Sequence, residues 1–388
     1  MSTLIFLLLA WAPGQEPSPL KSFDDAMEAQ IRDYLIPGAA LAVAKDGRLV
    51  HSKGYGLADV DAKTPVEAAS LFRIASISKP ITAVAILKLA QDGRLDLNAK
   101  AFPLLDLDLE KADRRLADIT IRQLLQHTGG WDREKSGDPM FRPFDIASES
   151  GVPLPPDPAA IIRFMVRRPL DTDPGTKHAY SNFGYCVLGR IIEKISGEPY
   201  EDHIRRAVLA PMGITAMRLG KTLLEQRAPG EVRYYPVSGV RARPVFESLK
   251  LKDVPWPYGG FCLEAMDAHG GWLASAPDLV RFATSIDKVL DAKSRALMVE
   301  RPASLPATPA YYACGWMVRP VGRGKLNLWH NGSLPGTSTL LVIRNDGLVW
   351  AALFNDRSRG EGKIDSALHQ AADAVTDWPS GDLFNRQK

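Results

Sequence analysis

Three cysteines in 388 residues are too few for a disulfide-built scaffold. Cys186, Cys262 and Cys314 are odd in number, lack metal-ligand spacing and read as small buried side chains. An excess of charge of one sign is missing too. Lys and Arg total 48 against 45 Asp and Glu, a net charge of +3, and no basic run occurs. Neither nucleic acid nor an anionic membrane surface is expected as a partner. The seven histidines are scattered, with no His-Glu-x-x-His, so no metal or cofactor is expected. The absence of a Gly-x-Ser-x-Gly elbow argues against an α/β-hydrolase esterase. Internal repeats and low-complexity tracts are lacking. The apolar run at the N-terminus, ending Ala10-Trp11-Ala12, is too short to span a bilayer, and Ala10-x-Ala12 suits signal peptidase. Residues 1–20 are read as a signal peptide and disordered N-terminus, which makes the protein exported; if the run is not a signal peptide, it would be cytoplasmic. No cysteine follows the run, so no stable membrane anchor is expected.

What the chain does have is a globular composition, 45% hydrophobic and 24% charged, enough for one large domain over 21–388. From Ile81 to Ala90 it is apolar almost all round and stops at Gly93. A helix without a polar face belongs in the middle of a domain. Pro80 is tolerated only in the first turn, so this helix begins close to Ser76. Before it, Ser22–Leu35 reads as an amphipathic helix with Ser22 and Asp25 as cap. Ala39–Ala44 and Arg48–Gly54 read as a hairpin across Asp46-Gly47. Ile119–Gln126 is a short helix closed by His127. Glu134–Pro158 lacks periodicity and reads as a long loop. Phe183–Ser196 is a second apolar helix, Lys221–Gly260 is irregular, and a helix follows Ser275. Strands are expected at Tyr311–Arg319, Leu326–His330, Ser338–Arg344 and Leu348–Asn355, then a helix over Lys363–Trp378. The fold class is therefore α/β in the α+β sense. An antiparallel sheet is built from both termini and flanked by helices (about 21–75 and 260–388), and a mostly helical region (about 76–259) is inserted after the first hairpin.

Three local signals carry chemistry. Ser76-Ile-Ser-Lys79 sets a hydroxyl and an amine three residues apart, on one face of a helix start whose free N–H groups suit a developing oxyanion. Ser-x-x-Lys alone is weak; it also occurs at Ser18–Lys21 and Ser285–Lys288. Tyr180-Ser-Asn182 opens the helix from Phe183. His330-Asn-Gly332 ends a strand beside Ser333. A serine hydroxyl needs a base, and a lysine serves as one only if burial or another cation lowers its pKa. Tyr180 can relay the proton or act as the base, and the amide of Asn182 can orient a substrate. Gly332 lets substrate lie flat against the strand, and the N–H of Ser333 joins that of Ser76 in an oxyanion hole. His127 and His269 read as structural groups; Trp256, Tyr258 and Trp272 suit either the core or an acyl pocket.

Together these motifs resemble the Ser-x-x-Lys, Tyr-x-Asn and Lys/His-x-Gly signatures of the serine β-lactamase and penicillin-binding protein superfamily. The resemblance is nearest to class C β-lactamases and their relatives, the D,D-peptidases, D-aminopeptidases and family VIII carboxylesterases. It continues through Ile119–Gly129, Asp173–Tyr200, Gly270–Ser275 and Leu326–Asn355. It implies the β-lactamase/penicillin-binding transpeptidase-like fold. It also implies a serine hydrolase that cleaves an ester, amide or D-amino-acid peptide through an acyl-enzyme on Ser76. Lys79 and Tyr180 would be the paired proton acceptors, and Asn182, His330, Gly332 and Ser333 would bind substrate. A D,D-carboxypeptidase or class C-type β-lactamase is the alternative within that chemistry. A penicillin-recognising non-catalytic pseudoenzyme is the alternative outside it. His330 departs from the class C lysine and is expected to titrate near neutral pH, which disfavours β-lactam carboxylates.

Overall fold

Asp46 and Gly47 both take positive φ, 50° and 78°, the twist with which a two-residue turn joins adjacent strands. They connect β1 (Gly38–Lys45) to β2 (Arg48–Asp59). The other edge of β1 is taken by the C-terminal strand β13 (Leu348–Phe354), with Ala39 opposite Phe354 and Lys45 opposite Leu348. The full sheet runs β3 (Thr64–Pro65), β2, β1, β13, β12 (Thr337–Ile343), β11 (Leu326–Leu334), β10 (Met317–Pro320), β9 (Tyr311–Tyr312), antiparallel throughout. The computed structural model describes residues 20–236, 239–250, 252–357 and 361–386; the stretch read as an export signal lies outside them, apart from Leu20.

β1 and β13 are buried almost end to end, which is why they read as unbroken apolar runs rather than alternating ones. One face of the sheet is covered by α1 (Lys21–Tyr34) and α11 (Glu361–Ala374), where Phe23, Met27, Trp350 and Leu368 pack together. The opposite face packs on α9 (Ala276–Thr284) and on the larger core around α2 (Ser78–Gln91). This is the fold expected: a sheet assembled from both ends of the chain, with a largely helical stretch between.

That stretch contains α3 (Ile121–Leu125), α4 (Arg133–Ser136), α5 (Pro143–Ser150), α6 (Pro158–Met165), α7 (Asn182–Ser196) and α8 (Tyr200–Ile204). Two small sheets accompany it: β4 (Phe72–Arg73), β8 (Trp272–Ala274) and β5 (Arg218–Leu219), and the pair β6 (Arg241–Ala242) and β7 (Val254–Pro255). Among the described residues no helix is long and apolar enough to cross a membrane.

Several element readings are corrected. Residues 134–158 are not a loop: Asp132, Asp138 and Asp157 cap three of four short helices, and prolines occupy first turns. Helices of one or two turns are too short to show apolar periodicity. β11 continues through the third motif to Leu334, so His330–Gly332 lies inside a strand. α1 has no side-chain cap, because Ser22 donates instead to the Ala371 carbonyl of α11, 2.9 Å away. Tyr311–Arg319 is broken at Gly315, whose φ of 83° and close packing on Ala83 interrupt the strand.

Candidate active site

Ala75 is a non-glycine residue with φ of 48°, a left-handed conformation that costs an L-residue about 1–2 kcal/mol. It opens a 3₁₀ turn, Ala75–Ile77, that runs directly into α2 and aims Ser76 into a cavity of about 530 Å³. β12 holds this bend in place. Thr337 donates to the Arg73 carbonyl at 3.1 Å and Thr339 to the Ile74 carbonyl at 2.9 Å. Gly332, on β11, has the same purpose: a side chain there would meet Thr339 Oγ1 at 2.3 Å and the Ile74 carbonyl at 2.4 Å. Its missing Cβ therefore makes room for the nucleophile turn rather than for substrate, a correction to the sequence reading.

Lys79 is fully buried. Its Nζ lies 3.1 Å from Ser76 Oγ, 2.7 Å from Asn182 Oδ1 and 3.0 Å from the His269 carbonyl. Among the described residues no carboxylate touches it. Burial pushes its pKa well below the ordinary lysine value; Arg133 adds to this and Asp138 opposes it. A neutral amine has two N–H donors and one lone pair. Asn182 Oδ1 and the His269 carbonyl only accept, so they take both donors, and the lone pair is left for the Ser76 hydroxyl.

Asn182 opens α7, whose N-cap is Ser181. Tyr180, just before it, is half-buried with its ring 4.7 Å from Lys79 Nζ and 5.0 Å from the Arg133 guanidinium. Burial raises the Tyr180 pKa, while its hydrogen bond with Ser76 and the charge of Arg133 pull the other way. His127 braces the segment. Its carbonyl accepts the Ala179 N–H at 2.9 Å, its Nδ1 accepts the Ser181 N–H at 3.2 Å, and its ring lies 4.3 Å from that of Tyr180. Burial keeps His127 and His269 neutral, their pKa values well below the ordinary range.

His330 differs from expectation. It is 3% exposed and does not face the cavity. Its Nδ1 lies 2.6 Å from the Asn331 carbonyl and must donate to it, so Nε2 accepts from the Tyr312 hydroxyl at 3.0 Å. Burial pushes its pKa down to about 3. The expected titration near neutral pH is overturned. Asn331 and Ser333, its neighbours on β11, line the cavity instead, and the Ser333 hydroxyl has no partner among the described residues.

Several cavity residues left no mark in the sequence. Asp138 accepts from Asn182 Nδ2 at 2.6 Å; Arg133, Phe141, Met266 and Arg357 line the same space. The short capped turns that present Asp138 and Arg133 had read as loop, and His269 contributes a backbone carbonyl, which has no side-chain signature. The pair of N-cap aspartates Asp132 and Asp138, with five residues between them, is the one available signal. Of the three aromatic residues left open, Trp256 lines the cavity, whereas Tyr258 and Trp272 are buried in the core. A larger surface groove of about 870 Å³ lies between Leu105 and Arg190, but it contains none of the three motifs.

The Beta-lactamase family model matches residues 23–374. Protein flp of Staphylococcus aureus is 27% identical over 86% of this chain, which spans 63% of that relative's length. Penicillin-binding protein 4 of Amycolatopsis lactamdurans is 29% identical, covering 86% of this chain and 84% of its own. Among solved structures, the D-amino acid amidase of Ochrobactrum anthropi SV3 complexed with L-phenylalanine superimposes with a TM-score of 0.69 at 25% identity, over 91% of this chain and all of its own. With a fold, a motif order and a family match that all agree over nearly the whole chain, this protein belongs to the Beta-lactamase family.

Proposed function

We propose that this protein is a serine hydrolase that cleaves an ester or amide bond of a small molecule through an acyl-enzyme on Ser76. The observation that carries the reading is the set of contacts around Lys79: a fully buried amine 3.1 Å from Ser76 Oγ whose other two partners, Asn182 Oδ1 and the His269 carbonyl, can only accept. Ser76 Oγ attacks the substrate carbonyl carbon and its proton passes to Lys79. The N–H groups of Ser76 and Ser333 receive the developing oxyanion. The Tyr180 hydroxyl, beside both Ser76 and Lys79, carries the proton on to the leaving alcohol or amine. Water then attacks the acyl carbon, with the same pair returning a proton to Ser76. Asn182 presents its amide to Lys79 and to the cavity. Phe141, Trp256, Met266 and Leu334 give the acyl side an apolar wall.

The amidase relationship supports an amide of a D-amino acid among the candidate substrates. The neutral His330 favours neutral esters and amides over carboxylate-bearing β-lactams and D,D-peptides, because no permanent cation stands at the third motif. The test is intact-mass analysis after incubation with a p-nitrophenyl ester, nitrocefin, penicillin and a D-Ala-D-Ala peptide. Wild type is expected to turn over the ester, and Ser76→Ala to lose both turnover and any adduct while folding normally. Ser285→Ala, in another Ser-x-x-Lys, is expected to behave as wild type. Stable acylation without turnover of any substrate would favour a penicillin-recognising pseudoenzyme. Activity surviving in Ser76→Ala would overturn the assignment.

A further inference from the structure

Asn182 has two chemically opposite ends of nearly the same shape, and which of them meets Lys79 decides whether that amine can work. With Oδ1 toward Lys79, the amide accepts a proton and leaves the lone pair for Ser76. Rotated by half a turn, Nδ2 would donate into that lone pair and compete with the Ser76 hydroxyl. Nothing in the amide itself prefers one orientation. The preference has to come from the partner on its far side.

That partner is Asp138. Its Oδ2 lies 2.6 Å from Asn182 Nδ2, while its Oδ1 caps the turn Pro139–Phe141 by accepting the Met140 N–H at 3.1 Å. An ionised carboxylate has no donor, so only the NH₂ end of Asn182 can face it. The capped turn fixes the carboxylate, the carboxylate fixes the amide, and the amide fixes which way Lys79 offers its lone pair. We infer that Asp138 is a positioning residue for the hydrolase reaction, acting through Asn182 to hold Lys79 in the proton-accepting arrangement toward Ser76. The inference rests on the acyl-enzyme reading above and extends it to a residue outside the three motifs.

Asp138 also bears on Lys79 electrostatically. Among the described residues, the groups that face Lys79 are Asp138 and Arg133 from the capped turns, Tyr180, Tyr185 and Asn182 from the segment around α7, His127 after α3, His269 before β8, and His330 on β11. The three histidines are neutral and the tyrosines protonated, so Asp138 is the one negative charge in this set. It raises the Lys79 pKa against the pull of burial. Removing it should move the acid limb of activity, where Lys79 becomes protonated, to lower pH.

Asp138→Asn separates the roles. Asparagine caps a turn about as well as aspartate, so the local fold is kept, but it can present either end to Asn182. The readout is the pH dependence of Ser76 labelling by a fluorophosphonate, followed by intact mass, alongside kcat/KM for a p-nitrophenyl ester. For Asp138→Asn we expect both rates to fall by ~10²-fold, the scale of a misplaced reacting group, with the acid limb shifted to lower pH. In an Asn182→Ala background the further loss from Asp138→Asn should largely vanish, since the amide to be oriented is gone. Labelling of Ser76 with an unmoved pH profile, or with losses that multiply independently in the double variant, overturns this inference alone. Absence of Ser76 labelling in the wild type overturns the hydrolase reading and this inference with it.

Discussion

Arg73 and Lys79 flank the nucleophile turn, both buried, with 1% and 0% of their surfaces exposed, and they are held in opposite ways. The Arg73 guanidinium donates to the carbonyls of Pro257, Lys221 and Thr222 at 2.7, 2.8 and 3.1 Å. It lies 3.6 Å from Glu231 Oε1 and over the rings of Tyr234 and Tyr258, at 4.4 and 5.5 Å. Every partner favours a cation, and a guanidinium keeps its charge. Lys79 is met by a hydroxyl, an amide oxygen and a carbonyl, with no carboxylate in contact among the described residues, and burial drives it toward the neutral amine. Burial therefore does not decide what a basic side chain does; the partner set does. Arg73 ties the irregular 221–260 stretch, and with it the Trp256 wall of the cavity, to the strand that leads into Ser76. Lys79 leaves its electrons free for chemistry.

The sharpest way to break this comparison is to replace each residue by methionine. Lys79→Met is expected to lower kcat/KM by ~10³-fold or more, the range for losing a positioned base. Stability should fall by less than in the arginine variant, by about 1–3 kcal/mol, since the acceptors that lose a donor are neutral and the burial cost of the amine is relieved. Arg73→Met reverses the pattern. It strands Glu231, whose pKa burial already raises, and should destabilise the protein by about 3–5 kcal/mol. The molecules that remain folded should still acylate at Ser76. Urea melts read beside ester turnover check both. A Lys79→Met protein that unfolds readily, or an Arg73→Met protein of normal stability, would erase the distinction.

Tyr180→Phe sharpens the Lys79 side of the comparison. The ring 4.7 Å from Nζ is kept and only the hydroxyl is lost, so a drop in turnover reports proton transfer rather than packing. The expected loss is ~10²-fold, checked by single-turnover acylation and deacylation rates. Near-wild-type rates would remove Tyr180 from the mechanism.

How much of this was legible depends on how local the determinants are. The Ser76–Lys79 spacing needs only one helical turn, and Pro80 marks where that turn begins. Ser181 is a recognisable N-cap that sets Tyr180 and Asn182 at the mouth of α7, and Asp46-Gly47 announces the first hairpin. The sheet could be read because β1 and β13 are apolar throughout. Asp138 and Arg133 were invisible because turn-length helices are specified by caps and prolines rather than by apolar period. The left-handed Ala75 has no signature, since β12 and Gly332 impose it from far along the chain. The state of His330 was misread for a related reason. A histidine motif does not show how deeply its strand is covered, and that cover is supplied by Tyr312, on another strand.

His330 gives the smallest and most discriminating effect. Its pKa, lowered to about 3, lies below the ordinary value for histidine of about 6.5. The folded protein thus binds fewer protons than the unfolded chain between those two values. Stability should accordingly rise with pH through that window and be lost on acidification, with His127 and His269 contributing in the same direction. Activity should not follow it. Between pH 6 and 8 (roughly, around the ordinary histidine range), the kcat/KM profiles of a neutral ester and of a carboxylate-bearing substrate should run parallel, because no charge appears beside the cavity. His330→Gln, which keeps a donor and an acceptor, should leave both profiles unchanged in shape while reducing the acid sensitivity of the melt. Profiles for the two substrates that diverge near pH 6.5 in the wild type and converge in His330→Gln would show that His330 is charged in the working enzyme. In that case the buried, neutral arrangement with Tyr312 would not be the active one.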